Sequence, residues 1–361
     1  MDKSKWEYKK LGEVCQYSTR RFDVNKLSKD NYVGVDNLLK NYCGKVPASS
    51  LDKIMSAVAY NPHDVLIGNI RPYLKKIWLA DSIGGASGDV LVLQIKNTYK
   101  GSIYPRFLYY TLANDYFFNY NYQHSKGVKM PRGDKKEILK YAIQLPTIDI
   151  QKNIAFTLDQ LSAIISLKQQ QMKEYDALAQ SLFYEMFGDM DGSEKSFEKK
   201  IFGECFKLKS GDSLTAKNIV KGPYAVFGGN GIVGYHSEYN AEGQQIIIGR
   251  VGALCGNVHL IDGKNFITDN AFILSDSIGF DKVYLLYFLS MLNLRDYARE
   301  AMQPVISNKT LKGITIPLTP LSLQRSFAEK VKAIEHQKSL LKQSIAETQT
   351  LLDSRMQEYF G

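Results

Sequence analysis

The strongest candidate for cofactor chemistry in the sequence is the glycine pattern Gly229-x-Gly231-x-x-Gly234, which follows a strand-like segment at 224–227. In dinucleotide-binding proteins this pattern opens a helix whose N-terminus binds the pyrophosphate. Here the next residues are Tyr-His-Ser-Glu-Tyr-Asn-Ala-Glu-Gly, a composition typical of turns. We therefore predict that these glycines do not hold a nicotinamide or nucleotide cofactor.

The other catalytic and metal-binding patterns are incomplete. The segment 61–64, Asn-Pro-His-Asp, lacks the second proline and the aromatic residue of the motif found in amino-methyltransferases, and it is predicted to be a turn. No phosphate-binding loop of the form G-x-x-x-x-G-K-[ST] occurs, and the five histidines are dispersed. The cysteines, which form no Cys-x-x-Cys pair, are predicted to be free thiols: Cys15, Cys43, Cys205 and Cys255. The sequence thus predicts no catalytic residue, metal or cofactor on this chain.

Polar and basic residues in glycine-rich connections are the more informative pattern. Such side chains contact phosphates and base edges in DNA, although for any one of them the alternative is an ordinary solvated loop. Arg71 and Arg250 stand out because each lies just past a strand, near a glycine that aligns between the two halves of the chain. The candidate DNA-binding residues are Thr19, Arg20, Arg21, Asn69, Arg71, Lys75, Lys76, Lys129, Lys209, Ser213, Asn230, Arg250 and Asn257.

The charge distribution points to a polyanionic partner for one part of the chain. The 361 residues include 46 basic and 37 acidic residues, for a formal net charge of +9. Residues 1–146 hold 23 basic and 13 acidic residues, whereas residues 189–317 hold 14 of each. Net charge therefore favours nucleic-acid binding only for the first part. The sequence shows no apolar run of membrane-spanning length and has a charged N-terminus, so we expect a cytoplasmic protein.

An internal repeat organises these residues. The segment from Trp6 resembles the segment from Phe197 at an offset of 191, and Gly68 aligns with Gly249 at an offset of 181. Residues 151–188 align with 324–361 without a gap, at an offset of 173. A decreasing offset is expected when loops differ in length while structural elements persist. We predict four segments: a globular domain at 1–146, a long helix at 147–188, a second globular domain at 189–317 and a second long helix at 318–361.

Both long segments carry a heptad pattern, interrupted by Lys168, Lys338, Thr348 and Arg355. Such narrow apolar seams are typical of coiled-coil partners, which favours pairing of the two helices over separate packing of each on its own domain. A two-fold relation between the repeats would make the helices antiparallel. The residues predicted to form the seam, and with it the partner-binding rod, are Leu158, Leu161, Ile165, Met172, Leu182, Val331, Ile334, Leu341, Ile345 and Leu352.

The globular parts combine strands with short helices. Apolar, β-branched stretches at 64–70, 90–95, 245–249 and 271–274 predict strands, and helices are predicted at about 105–118 and 282–300. The predicted fold class is therefore α+β. It has two tandem globular domains, each followed by a long helix, with pseudo-two-fold symmetry.

Several motifs resemble the specificity subunit of type I restriction-modification systems. They are W-x-x-x-x-L-G-E near the N-terminus, then K-S-G-D-S-L, G-P-Y-A-V-F-G-G-N-G-I-V-G-Y, I-I-I-G-R-V-G-A-L-C-G-N-V and T-D-N-A-F. The last motif, I-P-L-T-P-L-S-L-Q-R-S-F-A-E-K-V, opens the C-terminal helix. The resemblance covers the whole chain and is strongest over 197–361. Before the first long helix, Q-L-P-T-I-D-I-Q-K replaces the family's P-L-P-P-L-x-E-Q.

The resemblance implies a function and a set of partners. In this family two target-recognition domains each read one part of a split double-stranded DNA site, and two antiparallel helices space them. It implies two methyltransferase subunits and restriction/translocase subunits as partners. S-adenosylmethionine, ATP and Mg are then expected only on those subunits, and the chain itself is expected to be non-catalytic. The recognised bases do not carry over.

Three alternatives remain open from the sequence. The nearest is the specificity subunit of another methylating endonuclease with a split site. A coiled-coil scaffold with no DNA role is a second, and it would show no steep salt dependence on DNA. A nucleotide-dependent enzyme is the third, and it would require cofactor binding by the isolated chain.

Overall fold

The chain folds into two compact units. The structure, a computed structural model, describes residues 3–52, 54–188, 195, 197–299 and 304–361. Unit 1 comprises Met1–Lys168 and Ser344–Gly361, and unit 2 comprises Gln169–Gln343. Each unit therefore contains one globular domain together with segments of both long helices.

Unit 1 is built on two four-stranded sheets and a two-stranded ribbon. The strands are β1 (Glu7–Lys10), β2 (Cys15–Tyr17), β3 (Arg21–Phe22), β4 (Tyr32–Val33), β5 (Ala57–Tyr60), β6 (Val65–Gly68), β7 (Ile77–Leu79), β8 (Gly84–Ala86), β9 (Val90–Ile95) and β10 (Ala142–Leu145). The first sheet has the strand order β2-β9-β6-β7 and is antiparallel throughout. The second sheet has the order β3-β5-β8-β4 with one parallel pair, β4 with β8, and the ribbon pairs β1 with β10. The helices are α1 (Leu11–Val14), α2 (Pro105–Leu112), α3 (Asp115–Gln123), α4 (Lys135–Ile138) and α5 (Ile148–Phe187).

Unit 2 repeats this arrangement. The strands are β11 (Glu198–Ile201), β12 (Phe206–Ser210), β13 (Tyr224–Gly228), β14 (Gly231–His236), β15 (Gln245–Gly249), β16 (Val258–Ile261), β17 (Asn265–Ile267), β18 (Ala271–Asp276) and β19 (Thr315–Leu318). The antiparallel sheet has the strand order β12-β18-β15-β16, and the ribbon pairs β11 with β19. The second sheet has the order β14-β13-β17 and contains the parallel pair β13 with β17. The helices are α6 (Phe202–Cys205), α7 (Lys282–Met291), α8 (Asn308–Leu311) and α9 (Leu321–Phe360). The predicted α+β fold class is confirmed.

Two predicted helices end earlier than the sequence suggested. The helix expected at about 105–118 is divided into α2 and α3, because the buried Asn114 has extended backbone and its side chain accepts a hydrogen bond from the Phe117 amide at 3.0 Å. That is an N-cap, which starts a new helix. The helix expected at about 282–300 ends at Met291, since Asn293 has a left-handed φ of 46°.

The long helices α5 and α9 run antiparallel to each other. Each has 40 residues, which is about 60 Å at 1.5 Å per residue. In unit 1 the start of α5 packs on the end of α9, where Leu158 shares a core cluster with Tyr359. In unit 2 the end of α5 packs on the start of α9, and the rings of Phe183 and Phe327 meet at 5.4 Å between centroids. The ten predicted seam residues are all buried or partly buried.

Polar residues that interrupt the heptads find partners on the opposite helix. In unit 1 the Lys168 ammonium donates to Ser344 Oγ at 2.7 Å and to Thr348 Oγ1 at 2.9 Å. In unit 2 the Lys338 ammonium lies 2.7 Å from Asp176 Oδ1. Two such layers fix the register of the pair, as single polar seam residues do in coiled coils. Near the end of α9 the seam passes through Met356 rather than position 355.

Replacing Leu158 by alanine should destabilise unit 1 strongly. Leu158 is fully buried between the globular domain and α9, so the cavity should cost about 2–5 kcal/mol. The matched control is Leu167→Ala on the same helix, where the side chain is 66% exposed and little should change. Urea titration monitored by circular dichroism measures the midpoints. Equal shifts in the two variants would show that the seam is not a packed core.

Candidate nucleic-acid interface

The glycine motif forms a β-hairpin. Gly229 and Asn230 make the turn between β13 and β14, and the strand β14 stands where a dinucleotide site requires a helix. A Cβ on Gly249 would collide with the Gly229 carbonyl oxygen. The glycines therefore let the hairpin turn lie directly against the end of β15, by close approach of two backbones.

This contact collects polar side chains at one edge of unit 2. The Asn257 amide donates to Asn230 Oδ1 at 2.8 Å, across from the hairpin turn. Arg250 Nη1 donates to Ser210 Oγ at 3.3 Å, and the guanidinium lies 5.1 Å from the centre of the Phe272 ring. The half-buried Arg250 is thus positioned by one hydrogen bond and one ring contact, and its buried Nε has no partner among the described residues. We call Ser210, Asn230, Arg250 and Asn257 the unit 2 cluster.

His259 belongs beside this cluster and was missed from the sequence. It lies in β16, two residues after Asn257, and its Nε2 is buried with no hydrogen-bond partner in the described part of the chain. Burial lowers the pKa of His259, so the imidazole is neutral at neutral pH. His259, Asn257 and Arg295 line a cavity of about 380 Å³. The signal available in the sequence was the spacing of two residues from Asn257, because alternate residues of an extended segment share a face.

Backbone hydrogen bonds show which positions of the two units are equivalent. In each unit the same three bonds surround the end of one strand. In unit 1 they are Gly68 N to Lys76 O, Asn69 N to Asp89 O, and Arg71 N to Pro131 O; in unit 2 they are Gly249 N to Asn257 O, Arg250 N to Asn270 O, and Gly252 N to Pro304 O. Arg250 therefore corresponds to Asn69, and Arg71 corresponds to Gly252. The two arginines lie near the same aligned glycine but are not equivalent.

Arg71 occupies a strained backbone position. Its φ is 53° and its ψ is 66°, in the left-handed region, where the equivalent Gly252 has a φ of 92°. Such a conformation costs an ordinary residue about 1–2 kcal/mol. The side chain is exposed and borders an open cavity of about 570 Å³ that Asp89 and Met130 also line. Strain of this kind clusters at functional sites, so Arg71 stays a candidate DNA-binding residue.

The family model for the type I restriction modification DNA specificity domain matches residues 3–175 and 194–349. The chain belongs to this family. It is 26% identical to the type I restriction enzyme EcoprrI specificity subunit of Escherichia coli, over 78% of this chain and 74% of the relative. It is 24% identical to the MjaVIII specificity subunit of Methanocaldococcus jannaschii, over 92% and 86% of the two chains.

Solved structures of type I systems have the same fold. The S subunit of M. genitalium superposes with a TM-score of 0.61 at 15% identity, covering 99% of this chain and 96% of that one. A chain from a study of complex assembly in a type I R-M system gives 0.63 at 20% identity, covering 98% and 97%. Together with the family match, which covers both halves, the chain is a type I specificity subunit with two DNA specificity domains.

The candidate DNA-binding residues of unit 1 fall into two groups according to whether their side chains are exposed. Arg20, Arg71 and Lys129 are exposed, as are Thr19 and Arg21, whose Nη1 donates to Ser56 Oγ at 2.9 Å. Three others have partners within the unit or are buried: Asn69 is buried, the buried Lys76 donates to the Val35 carbonyl, and Lys75 pairs at the surface with Asp115 at 2.6 Å. The hydrogen bond from Lys75 lowers the pKa of Asp115, whereas burial lowers the pKa of Lys76.

In unit 2 the remaining candidates are accessible. Lys209 in β12 and Ser213 in the loop that follows are both exposed. No cluster of three or more His, Cys, Asp or Glu side chains that could hold a metal occurs among the described residues. Nor does any helix in the described ranges have the length and apolarity to cross a membrane.

Proposed function

We propose that the chain reads a split DNA target, one part with each globular domain, and brings methyltransferase and restriction subunits to it. The observation that carries this proposal is the retention of one backbone scaffold with different side chains on it. The exposed Arg71 of unit 1 stands where unit 2 has Gly252, and the half-buried Arg250 of unit 2 stands where unit 1 has the buried Asn69. A duplicated frame with different groups at equivalent positions suits two different half-sites.

Because the two globular domains differ in net charge, they should contribute to DNA binding in different ways. Residues 1–146 carry a net charge of +10 and residues 189–317 carry none. Neutralised phosphates release counterions, so the salt dependence of binding should come mainly from the first domain. The second domain contributes through base contacts made by the unit 2 cluster.

Each unit has two exposed leucines on its long-helix segments. They are Leu167 and Leu351 in unit 1, and their repeat equivalents Leu340 and Leu178 in unit 2, all between 46% and 66% exposed. We infer that two methyltransferase subunits bind, one at the long-helix segments of each unit. S-adenosylmethionine, ATP and Mg then belong to the partner subunits, and the assembly works in the cytoplasm.

The double variant Leu167→Asp with Leu340→Asp should assemble poorly with the methyltransferase subunit. Each substitution places a charge in the proposed apolar contact while leaving the buried seam intact. Asn153→Asp with Ser326→Asp is the control, because it adds the same charge at another exposed, repeat-equivalent pair. Size-exclusion chromatography with light scattering measures the subunit ratio. Equal loss in both double variants would assign the effect to charge alone.

A methylation assay tests the proposed function. The purified chain alone should transfer no methyl group, and the assembled complex should methylate only those members of a random duplex pool that share a two-part motif. Methyl transfer by the chain alone, or transfer by the partner subunits without it at the same sites, would contradict the proposal.

A further inference from the structure

A tight loop in unit 1 carries an apolar tip between basic residues. Lys126 and Arg132 exchange two backbone hydrogen bonds of 2.8 Å, which close the loop 127–131. The Arg71 amide donates to the Pro131 carbonyl at 2.8 Å and ties the loop to the strained residue described above. Three backbone hydrogen bonds therefore fix the base of the loop.

The tip residue Val128 buries nothing in the unit. Its side chain is fully exposed, at 103% of the reference area, and the neighbouring Met130 is 48% exposed. Around it, Lys126 pairs with Asp134 at 2.6 Å and Arg132 pairs with Asp89 at 3.2 Å. Lys129 is the exposed charge at the tip. Folding of the loop thus gains nothing from a valine at position 128.

The chemistry of base edges identifies a group that such a tip would contact. In the major groove the apolar group on a base edge is the C5-methyl of thymine. Side chains that wedge between base pairs in the minor groove are Phe, Leu, Ile, Met and Pro, and valine is not among them. Met130 is of this type, but it lines the cavity beside Arg71, and the fully exposed residue is Val128. A short, branched apolar side chain suits contact with a thymine methyl group in the major groove. A lysine beside it suits contact with a phosphate at the rim of the same groove.

We propose that the loop 127–131 enters the major groove of the first half-site and that Val128 covers a thymine methyl group. This inference rests on the proposed function and adds one specific base to it. Lys129 binds the adjacent phosphate, and Arg71, tied to Pro131, reads the neighbouring base pair.

The test uses the complex of this chain with its methyltransferase partner and duplexes that contain its methylated motif. Each thymine of the first half-site is replaced in turn by deoxyuridine, which removes only the methyl group. One replacement should weaken binding about fourfold, the value of one buried methyl group. The variant Val128→Ser should bind the thymine and deoxyuridine duplexes equally. Its thermal midpoint should be unchanged, because the side chain has no internal contacts.

Other outcomes separate the failures. If no deoxyuridine replacement matters, if the first half-site contains no thymine, or if Val128→Ser keeps the full fourfold dependence, the loop assignment is wrong. If the complex does not prefer its motif over a scrambled duplex, the proposed function itself fails. Lys129→Gln is the control and should weaken binding to every sequence by a similar factor.

Discussion

Replacing Arg71 by glycine should remove most discrimination at the first half-site and leave the chain at least as stable as before. A bidentate contact between arginine and guanine provides about 1–3 kcal/mol, so the preference for the correct base should fall about 5- to 150-fold. Glycine at this position relieves the left-handed backbone, as Gly252 does in unit 2. Competition binding on half-site variants and thermal melting measure the two effects.

Two controls make this result specific to the arginine side chain. His63→Gly changes another exposed left-handed residue, with a φ of 75°, and should leave discrimination unchanged. Arg250→Ala should weaken recognition of the second half-site and leave the first intact. If Arg71→Gly loses the same affinity on every sequence, Arg71 is a phosphate contact or a structural residue.

Lengthening both long helices by one heptad should lengthen the spacer of the DNA target. We propose that α5 and α9 set the distance between the two half-sites. Insertions after Tyr175 in α5 and after Lys338 in α9 fall between the two polar layers. The Lys168 contacts then remain on one side of the inserted heptads and the Lys338–Asp176 pair remains on the other. Seven residues add about 10 Å, or about three base pairs. The methylated motif of the variant, assembled with its partners, gives the new spacing.

An insertion in only one helix is the control for the lengthened rod. It should disrupt pairing, because the two polar layers could no longer form together. An active, folded double variant with an unchanged spacer would refute the role of the helices as a spacer.

The sequence predicted the long helices well because their signal is periodic. Heptads place Leu158 and Val331 in the seam without knowledge of the rest of the fold. At the end of α9 the same pattern failed by one residue: Met356 packs against the core cluster that contains Trp6 and Phe107, and position 355 is exposed. A straight helix that packs on a domain does not keep the 3.5-residue period.

The candidate site was harder to predict because it depends on side-chain direction in irregular segments. Lys75 and Lys76 look equivalent in the sequence, yet one pairs with Asp115 and the other is buried. Residue type was also misleading: His259 was set aside because the histidines lack metal-ligand spacing, although it lines the same cavity as Asn257. Such assignments depend on which strands pair, and the sequence alone does not set that order.

The most direct test of the account is the motif methylated in a host that expresses this chain with its methyltransferase partner, mapped by long-read sequencing. We expect two blocks of specified bases separated by unspecified positions, with Arg71→Gly relaxing only one block. A single uninterrupted block, or methylation at the same sites without this chain, would contradict recognition of a split target by two domains.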